Sequence, residues 1–285
     1  MKIVLTGGTG YIGSAVLKTL VAAGHQVTAV VRSQRSSLAV SDHGATGVIG
    51  DLFDADWLAS ELRGHDGLVH TAAGGDDRDQ ALNEAVITAA LEAFSGTTKP
   101  FLHTGGIWTY GADSAISETH EARPPELTAW RVPLEQKVLA SGLKASVIQP
   151  GIVYGHGAGI PSMLTSAAAE NDSLTLIGSG DQHWTTVHVD DLADLYLLAL
   201  ENAPGGRAYV AAGGQNPTVR ELAEAITPSV TPESDADTLA RLGAFGEALL
   251  LDQQASGDRA RSDLHWAPSR PSLVDLLAKG YPAAE

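Results

Sequence analysis

The run Thr6-Gly7-Gly8-Thr9-Gly10-Tyr11-Ile12-Gly13 constrains this chain more than any other feature. It follows directly on the short apolar run Ile3–Leu5 and opens a helical pattern over 11–23. Glycines at 7, 10 and 13 in that setting serve three ends: a tight turn, a close approach of backbone to a pyrophosphate, and close packing of helix on strand. The start of the helix adds free N–H groups and a partial positive charge. A glycine-rich turn alone also fits an ordinary strand–helix loop. Strand, glycines and helix in this order predict a dinucleotide site formed by Gly7, Gly10, Tyr11, Ile12 and Gly13.

The rest of the first half repeats the alternation. Apolar, β-branched runs stand at Val27–Val31, Gly47–Ile49, Gly67–His70, Phe101–Thr104 and Ala145–Ile148, with helical patterns at 54–63, 78–95 and 126–142 between them. Runs that are apolar throughout suit strands covered on both faces. With right-handed crossovers, they predict an α/β protein built on a Rossmann-type, doubly wound parallel sheet. After Pro150 the pattern is less regular. It predicts helices over 189–200, 218–226 and 238–252 and a loop over 228–237, with Asp190 and Asp191 capping the first of these helices and Thr218 the second. The expected organisation is a Rossmann domain for cofactor over 1–150, joined again by 188–212, and a smaller mixed part that binds substrate over 151–187 and 213–285.

At 285 residues such a chain buries enough surface to need no covalent staple. It has no cysteine, which excludes a disulfide scaffold, a zinc ribbon and a thiol nucleophile. With 34 acidic against 18 basic residues, its net charge of −16 argues against a nucleic-acid or anionic membrane partner. The longest apolar stretches, such as Leu195–Leu200, fall far short of a membrane span, and the first residues are too few for a signal peptide. A cytoplasmic protein with a small-molecule partner is expected.

Against that acidic background two cations stand out. A strand-two end that takes the ribose 2′-hydroxyl of NAD carries an acid there. This chain has Val31-Arg32-Ser33-Gln34-Arg35 instead, and no other Lys or Arg occurs between Lys18 and Arg63. Two guanidinium groups beside Ser33 suit a 2′-phosphate. The pattern therefore predicts NADPH/NADP+ rather than NAD(H).

Further segments fall in the order of a known superfamily. Besides the glycine turn, these are Gly50-Asp51-Leu52, His70-Thr71-Ala72-Ala73, Gln149-Pro150-Gly151-Ile152-Val153-Tyr154-Gly155, Val187-His188-Val189-Asp190-Asp191-Leu192-Ala193 and Leu264-His265-Trp266-Ala267-Pro268. Together they resemble the extended short-chain dehydrogenases/reductases over nearly the whole chain. The resemblance implies that Asp51 and Leu52 flank the adenine, that Ala72 and Ala73 lie by the ribose and pyrophosphate, and that Pro150, Gly151, Ile152 and Val153 lie by the nicotinamide, with Thr104 also at the cofactor. Gln149 departs from the family, which usually carries arginine there.

The larger departure is catalytic. The superfamily's chemistry rests on a tyrosine with a lysine four residues later, where Lys⁺ lowers the phenol pKa, and on a serine or threonine nearby. No tyrosine of this chain has lysine at that spacing; the corresponding helix reads Trp130-Arg131-Val132-Pro133-Leu134, and Gly105 and Gly106 occupy the two serine positions after strand five. The chain thus resembles atypical extended members without the Ser-Tyr-Lys triad, among them antibiotic-tailoring ketoreductases of the simocyclinone type. Three proton sources stay open: Tyr110, Thr104, and the substrate itself or water. Gly105, Gly106, Trp108, Tyr110, Trp130 and Trp184 are the expected pocket lining. In a chain with only five tryptophans they point to a bulky apolar or aromatic carbonyl substrate, although one or two of them filling core is an equal reading.

His70, His103 and His188 read as satisfied buried imidazoles. The pair His183 and His188 lacks further ligands at metal spacing, so no metal is expected. The leading expectation is an NADPH-dependent ketoreductase. Two alternatives remain: a nucleotide-sugar epimerase or dehydratase, disfavoured because 151–187 contains no Lys or Arg, and a non-catalytic NADP(H)-sensing regulator.

Overall fold

The computed structural model describes residues 1–281. The chain alternates β1 (Lys2–Thr6), α1 (Tyr11–Ala22), β2 (Gln26–Val31), α2 (Gln34–Ser41), β3 (Thr46–Ile49), α3 (Ala55–Arg63), β4 (Gly67–His70), α4 (Asp79–Phe94) and β5 (Phe101–Thr104). A short 3₁₀ turn (Ile107–Tyr110), β6 (Asp113–Ile116), a second 3₁₀ turn (Glu126–Thr128) and α5 (Arg131–Leu139) lead to β7 (Ala145–Pro150) and β8 (Ile152–Tyr154). There follow α6 (Pro161–Asn171), β9 (Leu174–Thr175), β10 (Thr186–His188), α7 (Val189–Asn202), β11 (Arg207–Ala211) and α8 (Val219–Ile226). The chain ends with β12 (Val230–Thr231), α9 (Asp235–Leu249), β13 (Gln253–Ala255), α10 (Asp258–Leu264) and α11 (Leu273–Ala278).

Seven strands form one parallel sheet in the order β11-β7-β5-β4-β1-β2-β3. This is the α/β, Rossmann-type sheet expected from the alternation. Its order reverses between β1 and β4, and ligands of such sheets bind outside the carboxyl ends at that reversal. On one face, Ile3 and Leu5 pack with Leu17, Leu20, Tyr196 and Leu200 from α1 and α7. On the other, Val4 and Phe101 pack with Leu58, Leu62, Phe94 and Val138 from α3, α4 and α5. A third cluster, with Tyr154, Leu176, Trp184, Leu222, Leu249 and Leu273, joins segments of the second half.

β4 and β7 are buried at every residue, as two-sided strands should be. β3 is not: it is the edge strand, and Ile49 is 54% exposed. Several other expectations are corrected. The Arg32–Arg35 segment opens an unforeseen helix, α2, capped by Ser33, whose hydroxyl accepts from the Ser36 N–H at 3.2 Å. The pattern over 126–142 breaks into a 3₁₀ turn and the shorter α5. The stretch expected as a loop over 228–237 holds β12 and the start of α9, which Ser234 caps, and α9 kinks at Gly243 (φ 57°). Asp190 and Asp191 do not cap α7; the His188 ring does, accepting from the Asp190 N–H at 3.1 Å. Asp191 instead receives the Ser269 and Arg270 N–H groups at 3.0 and 3.1 Å and so pins the C-terminal segment to the start of α7. Thr218 and Glu221 form the anticipated capping box.

Candidate active site

The carboxyl end of β1 turns at Gly7, which adopts φ +77°; a Cβ there would sit 2.7 Å from the Ala72 nitrogen. At Gly13 a Cβ would fall 2.0 Å from the Gly7 carbonyl oxygen, so α1 lies directly on the turn. Gly10 begins α1 with no side-chain cap and no acid in the first turn. Its first N–H groups are therefore left for an anion, which a pyrophosphate satisfies. The Tyr11 hydroxyl donates to the Gly155 carbonyl at 2.9 Å, which leaves only its backbone N–H at the helix start.

Around this turn the expected cofactor residues gather at the carboxyl ends of the strands. Arg32 and Arg35 are exposed, at the end of β2 and the first turn of α2, and among the described residues neither has an ion-pair partner. The Arg78 N–H and guanidinium hold Asp76 below the usual carboxylate range, with Arg32 adding to the effect. Arg78 in turn lies over the Phe53 ring at 5.7 Å, in the loop after β3 that carries Asp51 and Leu52. Ala72 and Ala73 follow β4 with partly or fully exposed side chains, while Pro150 and Ile152 are buried and Gly151 and Val153 half-buried. A free helix start and unpaired guanidinium groups fit an anionic dinucleotide.

The end of β5 is built differently. The Thr104 hydroxyl donates to the His70 carbonyl at 2.6 Å. With that proton engaged, the Tyr196 hydroxyl must be the donor in the 2.5 Å bond between Tyr196 and Thr104. Tyr110 is 8% exposed and donates to Gln149 Oε1 at 2.8 Å. Burial pushes the Tyr110 and Tyr196 phenols well above their ordinary pKa. Gln149 passes its own amide proton to Glu135 Oε2 at 2.7 Å. Glu135 is 5% exposed and its Oε1 has no hydrogen-bond partner. Burial pushes its carboxyl up to about 7, opposed by the Gln149 amide, the Arg131 charge and the nearby Gly106 N–H, which closes no hydrogen bond with it.

Gly105 and Gly106 therefore part company. A Cβ on Gly105 would lie 2.2 Å from Glu135 Oε1, so this residue faces inward and is not pocket lining; a Cβ on Gly106 meets nothing within 4 Å. Trp184 is likewise corrected. It is 2% exposed, donates to the Leu249 carbonyl at 3.0 Å and fills core. Trp108 and Trp130 remain half-buried, Trp108 edge-on to Phe245 at 6.0 Å and Trp130 beneath Arg131 at 4.5 Å.

Of the histidines, His70 is satisfied by Thr6 and Asn83 at 2.6 and 3.0 Å and His188 caps α7, but His103 Nδ1 is buried without a partner. Burial lowers His70 to about 4 and His103 well below its ordinary value. His183 is held by Asp252 at 2.9 Å. Among the described residues no three His, Cys, Asp or Glu side chains gather as a metal site, and no helix is long and apolar enough to cross a membrane.

Sequence reasoning missed Arg131 and Glu135. The signal was their spacing of four, which puts both on one face of α5.

The model of the NAD dependent epimerase/dehydratase family matches residues 3–212. The chain belongs to this family. An uncharacterized protein of Schizosaccharomyces pombe is 30% identical over 99% of this chain and all of its own length. A 2-alkyl-3-oxoalkanoate reductase from Stenotrophomonas maltophilia is 29% identical, over 87% of this chain and 83% of the relative. Among solved structures, a dTDP-glucose 4,6-dehydratase from Streptomyces venezuelae with NAD bound superposes with a TM-score of 0.79, covering 98% of this chain and 95% of its own at 23% identity. The chain is thus an extended short-chain dehydrogenase/reductase whose relatives include both reductases and sugar-nucleotide dehydratases.

Proposed function

We propose that this protein is an NADPH-dependent reductase of a ketone carried by a bulky, apolar or aromatic small molecule, working without a Tyr-Lys pair. The observation that carries the reading is the state of the hydroxyls at the end of β5. Thr104, Tyr110 and Tyr196 each donate to a protein acceptor, and no tyrosine has a lysine four residues on. An epimerase or dehydratase has to remove and return protons within one turnover, which asks for a free acid–base group. A reduction needs one proton, once.

When bound, the dinucleotide supplies a hydride with its electron pair to the carbonyl carbon. The displaced π pair goes to the ketone oxygen, which takes its proton from water or from an acidic group of the substrate. The chain's share is orientation. The α1 start and the Arg32–Arg35 cations hold the phosphates, Trp108 and Trp130 flank the substrate, and Gly106 leaves it room. Correct placement alone removes ~7–11 kcal/mol of a bimolecular barrier. The Stenotrophomonas relative, named as a reductase of a 3-oxo compound, supports this reading. A sugar-nucleotide epimerase or dehydratase is the second reading, supported by the family's description. It is disfavoured by the absence of Lys and Arg from 151–187.

The test is deuteride transfer from stereospecifically 4-deuterated NADPH to a panel of quinones, polycyclic ketones and 3-oxo acids. One deuterium in the alcohol per NADPH consumed is the expected result. Micromolar NADPH binding with no turnover of any carbonyl would make the protein a cofactor-sensing regulator. In the same assay Arg32→Ala with Arg35→Ala should weaken NADPH about 100-fold more than NADH, as charge-assisted hydrogen bonds to a phosphate require. Equal weakening would remove the 2′-phosphate assignment.

A further inference from the structure

Arg131 opens α5, and its guanidinium reaches the end of β5. Its Cζ is 4.5 Å from the centroid of the Trp130 ring, and Nη1 donates to the Thr104 carbonyl at 3.5 Å, the outer limit of a hydrogen bond. Among the described residues no carboxylate comes within ion-pair distance of it. The two carboxylates whose charge it feels stand beyond that distance, and each accepts a hydrogen bond elsewhere. Asp79 receives the Gly74 and Gly75 N–H groups, and Glu135 receives the Gln149 amide. Burial lowers its pKa, yet a guanidinium stays charged.

A largely desolvated cation without a counter-ion is unfavourable unless something anionic completes it. The guanidinium has five N–H donors. The Thr104 carbonyl uses one, and none of its nitrogens is closed off from both solvent and partner. Its remaining nitrogens therefore keep some contact with solvent, at the same end of β5 where a side chain at Gly106 would meet no atom within 4 Å. The Trp130 ring lies against the guanidinium on one side, and the Thr104 carbonyl engages one of its nitrogens. What remains is a planar, two-pronged donor set that matches a pair of neighbouring oxygens.

We propose that Arg131 is the substrate's oxyanion anchor, and that the substrate is a 3-oxo acid whose carboxylate and ketone oxygens share this guanidinium. The substrate class rests on the reductase reading; the anion site does not. Arg131 has no proton to give at neutral pH, so its part is binding and charge stabilisation as the ketone oxygen turns anionic. With no free hydroxyl at the site and an ionised carboxylate on the substrate, the proton for the ketone oxygen comes from water, which is left as hydroxide.

The test compares kcat/KM for 3-oxodecanoate and its methyl ester with NADPH, in the wild type, Arg131→Met and Arg131→Lys. The wild type should prefer the free acid about 10- to 100-fold, the range of a charge-assisted hydrogen-bond pair. Arg131→Met should bring the ratio near one, chiefly through KM, and Arg131→Lys should restore part of it. A purely structural role would lower both substrates alike and leave the ratio unchanged, which would overturn the proposal. Calorimetric titration of the NADP+-bound protein with the acid separates the two readings. If no ketone is reduced but the acid binds the wild type and not Arg131→Met, the anion site stands and the reductase reading fails. If the acid and ester bind the wild type equally, or the acid does not bind, the anion site fails.

Discussion

At the carboxyl end of β1 the glycine turn lies within the eight consecutive residues Thr6–Gly13. At the carboxyl end of β5 the facing surface is assembled from Thr104, Gly106, Arg131, Glu135 and Gln149, which three different elements deliver. The first region works through backbone: its glycines are demanded by the Gly7 and Ala72 main chain, and no side chain caps α1. The second works through side chains that satisfy one another, from Tyr110 to Gln149 to Glu135 and from Tyr196 to Thr104 to His70. A backbone device tolerates nothing added. A side-chain network tolerates changes wherever its members do not reach, and fails where one is crowded or left unpaired.

The sharpest way to break this contrast is Gly13→Ala. The added methyl would lie 2.0 Å from the Gly7 oxygen and 2.7 Å from Thr71 Oγ1, and the first of these belongs to backbone that cannot turn away. Helix α1 has to lift off the sheet, so a loss of about 3 kcal/mol is expected, at the upper end of overpacking costs. Urea unfolding checks the stability and NADPH titration the site; a stable variant with intact binding would mean that the turn is looser than described.

The same contrast explains what was legible in the sequence. The glycine turn is local, so its spacing survives translation into one dimension, and so do the apolar runs that become the parallel sheet. The Arg32–Arg35 pair was visible because no other Lys or Arg lies between Lys18 and Arg63 in an acidic chain, although the helix it opens was not: Gln34–Ser41 is polar, with only Val40 buried, and carries almost no periodic apolar signal. At the end of β5 the sequence revealed absences, the missing lysine and the missing serines, but not what replaces them. Glu135 occupies the space above Gly105, and Arg131 reaches Thr104, only because β5, α5 and β7 fold against one another. Trp184 was misjudged for the same reason. An indole in a short segment looks like pocket lining until the Leu249 carbonyl and its core neighbours are seen to enclose it.

A second prediction probes the side-chain network by pH. Glu135 has its folded pKa raised by burial to about 7, from an ordinary 4.5. Between these values the folded state binds more protons than the unfolded one, so the Glu135 contribution is fully present below pH 4.5 and is lost as pH rises through 7. The loss amounts to about 3 kcal/mol. His70 and His103 act in the opposite sense. Their folded values are depressed, so their contribution is lost as pH falls below about 6.5. The isolating comparison is therefore wild type against Glu135→Gln. The stability difference between the two should shift by about 3 kcal/mol in favour of the glutamine variant from pH 4.5 to pH 8. A difference independent of pH would show that Glu135 is ionised throughout and that its unpartnered oxygen finds water.

The smallest effects come from the two glycines that stand side by side where the family has serine, and they test the contrast most finely. Gly105→Ala places a methyl 2.2 Å from Glu135 Oε1, and this carboxyl is not a free end: its other oxygen is held by Gln149 and its chain is buried in α5. Relieving the overlap means breaking the Gln149 bond, at a cost of roughly 1–3 kcal/mol. Gly106→Ala meets no atom within 4 Å and sits in extended backbone at φ −174°, which alanine adopts freely. Its stability should change by less than about 0.5 kcal/mol, the range of an unconstrained surface site. Because its methyl enters the open side of the end of β5, it should raise KM for a ketone while leaving the unfolding midpoint alone. Gly105→Ala should do the reverse, lowering the midpoint and leaving KM near the wild-type value in the folded fraction. If both variants moved both quantities together, the two glycines would belong to one surface, and the division between an inward Gly105 and an outward Gly106 would be lost.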